Sequence, residues 1–114
     1  MMSAKSSGNK NTQTAFASHA PTGAESSFTV VAATLPGGAV GTPLYVDCSG
    51  DVGGVIQFQF GSQAVKQVAI APNQLPVRIE IPSSAFPNKV GSVNIGFEGF
   101  GAGTMAAIVT FNVG

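Results

Sequence analysis

Glycine and proline recur so often along this chain that long helices are excluded. After Gly23, the longest stretch that contains neither residue is 24–35, and both residues weaken or break the interior of a helix. In the middle of that stretch lies Phe28-Thr29-Val30-Val31, whose aromatic and β-branched side chains favour extended backbone. The sequence therefore predicts a fold built from short strands that are joined by turns.

Alternating apolar and polar side chains indicate antiparallel strands with one face buried and one face in water. In Val77-Arg78-Ile79-Glu80-Ile81, the three apolar side chains share one face, whereas Arg78 and Glu80 lie on the other. The same alternation is present in residues 56–60, 93–97 and 107–113. These four segments are the clearest strand predictions in the chain.

Two weaker segments complete the set of strands. In residues 44–48 the side chains of Leu44, Val46 and Cys48 are expected to point inward, and in residues 65–70 a bulge near Gln67 would restore the alternation. Seven strands then begin near residues 28, 44, 55, 65, 77, 93 and 106. This spacing is typical of an all-β, antiparallel two-sheet β-sandwich, Ig-like or jelly-roll-like, with closure into a small barrel as the alternative.

Glycine-rich segments are expected to turn the chain between these strands. Gly61-Ser62 predicts one hairpin, and the segment 99–103 predicts another that joins the last two strands. Phe100, within the second turn, is expected to be exposed and to contact a partner, or else to fold over the end of the sandwich as a lid.

The first 25 residues differ in composition from the rest of the chain. They contain no Val, Ile or Leu, and beyond the initial methionines Phe16 is their only large apolar side chain. Such a segment cannot bury enough surface to fold alone. We expect a polar extended N-terminal arm over residues 1–25 and a β-sandwich domain over 26–114. The arm would pack on a neighbouring chain or on its own domain, with Phe16 as an anchor and with Asn11 and Thr14 as further partner contacts.

The charge of the chain disfavours several kinds of partner. The formal net charge is zero, and only 9% of the residues are charged, against roughly 25% in typical soluble domains. Neither nucleic acid nor a membrane is expected as a partner, because no basic patch and no long apolar segment is present. The N-terminus shows no apolar signal segment, so we expect synthesis and assembly in a cytosol.

Side chains that could perform chemistry are few. With His19 as the one histidine and Cys48 as the one cysteine, the sequence predicts no catalytic set, no cofactor and no enzyme activity. Asp47 and Asp51 flank a glycine turn and give a weak indication of a cation loop, but an ordinary turn is favoured, so no metal is expected either. Glu80 and Glu98 do not make a hydrolase site without stacking aromatic residues.

Taken over residues 26–114, the strand number and spacing resemble those of an immunoglobulin-like sandwich. With its polar arm, the chain is similar to the small sandwich decoration, or cement, proteins on the heads of tailed bacteriophages. That resemblance implies a structural protein on the capsid surface of a virion, assembled in the host cytoplasm. It would form a homotrimer or another symmetric oligomer and bind the major capsid protein through its arm and the base of its sandwich. The alternative is an extracellular or surface-displayed binding module, adhesin-like or carbohydrate-binding.

Overall fold

The computed structural model describes residues 11–60, 63–81 and 89–114. These residues form two antiparallel four-stranded sheets that pack as a sandwich, with strand orders β1-β8-β3-β6 and β2-β7-β4-β5. The strands are β1 (Thr12–His19), β2 (Thr29–Thr34), β3 (Thr42–Gly50), β4 (Gly54–Phe60), β5 (Gln63–Ile70), β6 (Val77–Glu80), β7 (Ser92–Gly99) and β8 (Met105–Asn112). Single 3₁₀ turns occupy Pro36–Gly38 and Pro72–Gln74. The predicted all-β sandwich is thus confirmed.

The core lies between the two sheets and follows the predicted alternation. On β7 and β8, the inward side chains of Val93, Ile95, Phe97, Val109 and Phe111 are fully buried. Ile79 on β6 is buried, and its neighbours Arg78 and Glu80 are exposed. Alternation in a short strand is informative because successive side chains point to opposite faces of a sheet.

Irregularities in β3 and β5 shift two of the predicted details. The β3–β8 register shifts between Pro43 and Tyr45, so Pro43 is buried in place of the predicted Leu44. The β4–β5 register shifts between Phe58 and Gln59, which places the extra residue of β5 at Val65 instead of near Gln67. Each bulge adds one residue to one strand and so reverses which residues face the core.

Within the predicted arm, residues 12–19 form a strand of the first sheet. β1 pairs with β8 along its whole length, from Thr12 opposite Asn112 to His19 opposite Met105. Its inward side chains include Ala15 and Ala17, which are 4% and 2% exposed. Residues 12–19 of the predicted arm therefore pack on their own domain, and the sandwich begins well before residue 26. An edge strand can join a sheet with small inward side chains, because most of its bonding is through the main chain.

The segment between β7 and β8 is not the predicted hairpin. β7 belongs to the second sheet and β8 to the first, so residues 100–104 cross from one layer to the other. Glycine-rich loops serve both kinds of connection, and only the long-range pairing of the strands distinguishes them. The β4–β5 hairpin does form, with Phe60 opposite Gln63, and its turn residues Gly61 and Ser62 lie outside the described residues.

Candidate functional site

The outer face of the first sheet is a regular surface formed by β1, β8, β3 and β6. The strand registers align its outward side chains into rows that run across all four strands. One row contains Phe16, Ile108, Asp47 and Arg78, and the next contains Thr14, Thr110, Tyr45 and Glu80. This face divides into a half without charges on β1 and β8 and a half with charges on β3 and β6.

On the uncharged half, two large apolar side chains lie next to each other in water. Phe16 is 59% exposed and Ile108 is 39% exposed. They stand directly opposite across the β1–β8 pairing, a position in which side chains contact each other. No Lys, Arg, Asp or Glu is present in either strand. We call Phe16 and Ile108, together with Thr14 and Thr110 of the next row, the apolar patch.

On the charged half, three side chains hold one another in place. The Arg78 Nε donates to Asp47 Oδ1 at 2.8 Å and its Nη2 donates to Oδ2 at 3.2 Å. The guanidinium carbon lies 3.8 Å from the centre of the Tyr45 ring, within range of a cation–π interaction. The hydrogen bond to Asp47 raises the pKa of Arg78, and the two charges offset each other at the surface.

One end of the sandwich is fastened by a cluster around Glu25. The His19 Nε2 donates to both carboxylate oxygens of Glu25, at 2.9 and 3.0 Å, and the Gly99 amide donates to Oε1 at 2.7 Å. The bond from Gly99 and then the bond from His19 hold the pKa of Glu25 below its ordinary value. The His19 ring also stacks on Phe97. This cluster ties the β1–β2 connection to the end of β7.

Phe100 follows this cluster on a loop that is braced from three directions. The Phe100 amide donates to the Gly53 carbonyl at 2.9 Å and the Gly103 amide donates to the Pro21 carbonyl at 3.0 Å. The Thr104 amide donates to Asp51 Oδ1 at 2.7 Å. Phe100 itself is 53% exposed, as the sequence predicts, and does not fold over the end as a lid.

Glycine at position 99 is required by a close approach in the same cluster. A Cβ atom at Gly99 would lie 2.5 Å from Pro21 Cγ and 2.8 Å from Pro21 Cβ, which is too short for any real contact between these atoms. Because Pro21 is buried at this point, it has little room to move. The absence of a side chain at Gly99 therefore lets the β1–β2 connection pack on the end of β7.

The predicted contact residues do not form one site. Phe16 and Thr14 share the outer face of the first sheet, whereas Phe100 lies at the end of the sandwich where β1 ends. Asn11 lies at the opposite end, where its carbonyl accepts a hydrogen bond from the Val113 amide at 2.7 Å. The structure thus brings together two of the four residues, and their role in binding stays a prediction.

The weak chemical candidates are engaged in structural contacts. Asp47 pairs with Arg78 and Asp51 binds Thr104, so these two carboxylates do not converge on a cation loop. Cys48 is fully buried, and this burial, with a smaller effect from Asp47, raises the pKa of its thiol to about 12. In the part of the chain that the structure describes, no pocket and no group of three or more His, Cys, Asp or Glu suited to a metal is found.

Sequence reasoning missed Ile108 and the pairing of Tyr45 with Arg78. The signal for Ile108 was available, because the alternation in residues 107–113 places this isoleucine on the outward face. Tyr45 and Arg78 lie on strands that are distant in sequence, and only the β3–β6 register brings them together.

Comparisons with family models, with curated proteins and with solved structures give no match for this chain. Among residues 11–60, 63–81 and 89–114, no helix has the length and apolar character needed to cross a membrane.

Proposed function

We propose that this protein is a non-enzymatic structural component of a virion, a capsid decoration or cement protein that binds the shell of major capsid protein. The observation that carries this proposal is the apolar patch, where Phe16 and Ile108 lie side by side on a strand pair without charges. Exposed apolar surface of this kind is characteristic of protein–protein interaction sites. The proposal accounts for a surface that is otherwise unfavourable for a free protein.

The composition of the chain supports a contact of this kind. Only 9% of the residues are charged and the net charge is zero, so burial of the outer face removes few charges from water. Removing a charge from water is costly unless it is paired. The nearest charges on this face, Asp47 and Arg78, already pair with each other.

The position of the patch on a sheet also favours binding. Phe16 and Ile108 project from strands in a regular ladder, and Phe100 projects from a loop that three hydrogen bonds brace. The backbone at these positions is already ordered, so binding costs little backbone conformational freedom, which is one of the costs of association. In this proposal the patch lies against the capsid shell, and Phe100 makes a second contact.

Binding alone would provide the stabilising activity. A protein that binds the assembled shell and not its free subunits shifts the equilibrium towards the shell. Repetition at each symmetry-related site multiplies the effect over the capsid. No covalent step and no cofactor are needed.

The test is binding to shells assembled from the major capsid protein of the same virus. We expect the full chain to co-sediment with the shells at a fixed ratio and to raise the temperature at which they open. Ile108→Asp should abolish co-sedimentation, whereas the control Ala32→Asp, at an exposed position on the second sheet, should not. Free chain in the supernatant at all concentrations would contradict the proposal, and a thermal shift with glycans would favour the extracellular binding module.

A further inference from the structure

Strand β1 is an open edge of the first sheet. It pairs with β8 on one side, and no backbone hydrogen bond from any other described residue reaches residues 12–19. The strand is eight residues long, has an unbroken register, and contains no proline and no Lys, Arg, Asp or Glu. Edge strands of natural proteins usually carry charges, proline or bulges that prevent pairing with another chain.

The sequence of β1 is self-complementary about Phe16. If two copies pair antiparallel with Phe16 opposite Phe16, then Ala15 stands opposite Ala17, Thr14 opposite Ser18, and Gln13 opposite His19. The first three pairs match side chains of similar size and polarity, and Gln13 and His19 are both polar. Such cross-strand matching is what stabilises an antiparallel pair.

The same register joins the apolar patches of the two copies. Phe16 points to the outer face and is opposite Ile108 on its other side. The paired strands would therefore carry a continuous apolar row of Ile108, Phe16, Phe16 and Ile108 across the junction. Ala15 and Ala17, on the inner face, are small enough to meet without a clash.

We propose that two copies of this chain associate through antiparallel pairing of β1 with β1, with Phe16 at the two-fold axis, so that their first sheets form one eight-stranded sheet. This pairing goes beyond the proposed function, and the geometry of β1 carries it independently. The two copies use the same surface, so the pairing closes as a dimer and does not continue. The joined apolar row remains on the outer face, where it is free to bind the shell.

The size of this contact is consistent with a reversible dimer. A strand of eight residues spans roughly 26 Å. A contact along one strand edge of this length falls at the low end of interface sizes, below about 1,200 Å² in total, where association is weak and transient. The dimer should therefore dissociate on dilution.

Sedimentation equilibrium of the full chain over a hundredfold range of concentration tests the proposal. We expect a monomer–dimer equilibrium. Phe16→Lys should weaken the dimer by at least about tenfold, because it removes the aromatic pair and places two ammonium groups opposite each other. Ala69→Lys, which adds the same charge to an exposed position on β5, is the matched control and should leave the dimer unchanged.

Circular dichroism and thermal unfolding verify that both variants fold. If Phe16→Lys does not fold, Thr14→Lys replaces it in the same experiment. A chain that is monomeric at every concentration, or a Phe16→Lys variant that dimerises as well as the wild type, would overturn the proposal. Shell binding is measured separately. A dimer that does not bind shells would contradict only the proposed function. A monomer that binds shells would contradict only the pairing of β1.

Discussion

The two lateral sides of the sandwich differ in how their edge strands are protected. On one side, β6 is only four residues long, follows Pro76 and carries Arg78 and Glu80, while β5 contains a register shift. On the other side, β1 and β2 are eight and six residues long, have unbroken registers, and contain no Lys, Arg, Asp or Glu. We call these the closed side and the open side.

This difference indicates which side is used for association. Short, charged or bulged edges prevent a sheet from extending into a neighbouring molecule, whereas long uncharged edges permit it. Among the four edge strands, charged residues lie on β5 and β6 of the closed side, and none lies on β1 or β2. The open side is therefore the part of the molecule that we expect to meet another chain.

The two sides also differ in how firmly their edge strands are anchored in the first sheet. β6 and the residue after it bury Ile79 and Ile81, which are 7% and 6% exposed. β1 buries Ala15 and Ala17, which remove much less apolar surface from water. The closed side is thus the more firmly packed of the two.

The largest expected effect comes from truncating the anchor of the closed side. Ile79→Ala removes buried methyl and methylene groups and should lower the free energy of unfolding by about 2–5 kcal/mol. The matched change on the open side, Ala17→Gly, should cost only about 1 kcal/mol, because it mainly adds backbone freedom in a strand. Urea denaturation measures both values, and equal losses would show that the two sides are anchored alike.

Cys48 reports on the closed side because it lies opposite Val77 in the β3–β6 pairing. Its thiol has a pKa of about 12, so iodoacetamide at pH 8 should alkylate it at least about a thousandfold more slowly than in the unfolded chain. An added thiol on the open side, Ala17→Cys, should react faster than Cys48, since β1 opens more readily. Peptide mapping distinguishes the two sites. Faster alkylation of Cys48 would show that the closed side, not the open side, opens more readily.

A smaller effect concerns the acid stability of the end of the open side. The folded-state pKa of Glu25 lies below its ordinary value of 4.5, so its ionised form contributes stability that is complete above that pH. The contribution is lost as the pH falls through the lowered folded-state pKa. In Glu25→Gln this contribution is absent, so the free energy of unfolding should decline less steeply as the pH falls. The difference in slope should correspond to the uptake of less than one proton per molecule.

The control for Glu25 is His19→Gln, which keeps the bond from the Gly99 amide. Because that bond is the larger cause of the lowered pKa, this variant should retain most of the wild-type acid dependence. Chemical denaturation at a series of pH values between 3 and 7 compares the three proteins. A wild-type acid profile in Glu25→Gln would contradict the role assigned to this carboxylate.

The smallest effect is expected at the exposed pair on the closed side. Arg78→Lys keeps the charge but loses the two-point hydrogen bond to Asp47 and the flat contact with Tyr45. Both side chains of the ion pair are about half exposed, and exposed pairs contribute little. The free energy of unfolding should fall by less than about 1 kcal/mol in urea denaturation, and a larger loss would show that this pair anchors β6.

Much of the fold is predictable because short strands carry their burial pattern in the sequence. The alternation in residues 77–81 and 93–97 identifies both the strands and their inward faces. β1 escapes this reasoning because its inward residues are alanines, which carry little hydrophobic signal. The crossing at residues 100–104 escapes it because sheet membership depends on partners that are distant in the chain.

Half of the apolar patch was equally accessible from the sequence. Phe16 stands out as the one large apolar side chain between the initial methionines and Phe28. The alternation in residues 107–113 places Ile108 on an outward face, but only the β1–β8 register shows that it lies next to Phe16. The same register shows that a chain starting at Ser26 would lose a strand of the sheet. Point substitutions on the outer face of β1 are therefore the cleaner way to examine association.

Disulfide cross-linking across the junction tests the open side most directly. In the proposed register Thr14 faces Ser18 of the second copy, at a separation close to that of a disulfide, whereas identical residues of the two copies are about 13 Å apart. A mixture of Thr14→Cys and Ser18→Cys proteins should thus form a covalent dimer under mild oxidation, and neither protein alone should do so. Absence of the mixed dimer, or equal cross-linking of either variant with itself, would contradict the pairing of β1 with β1.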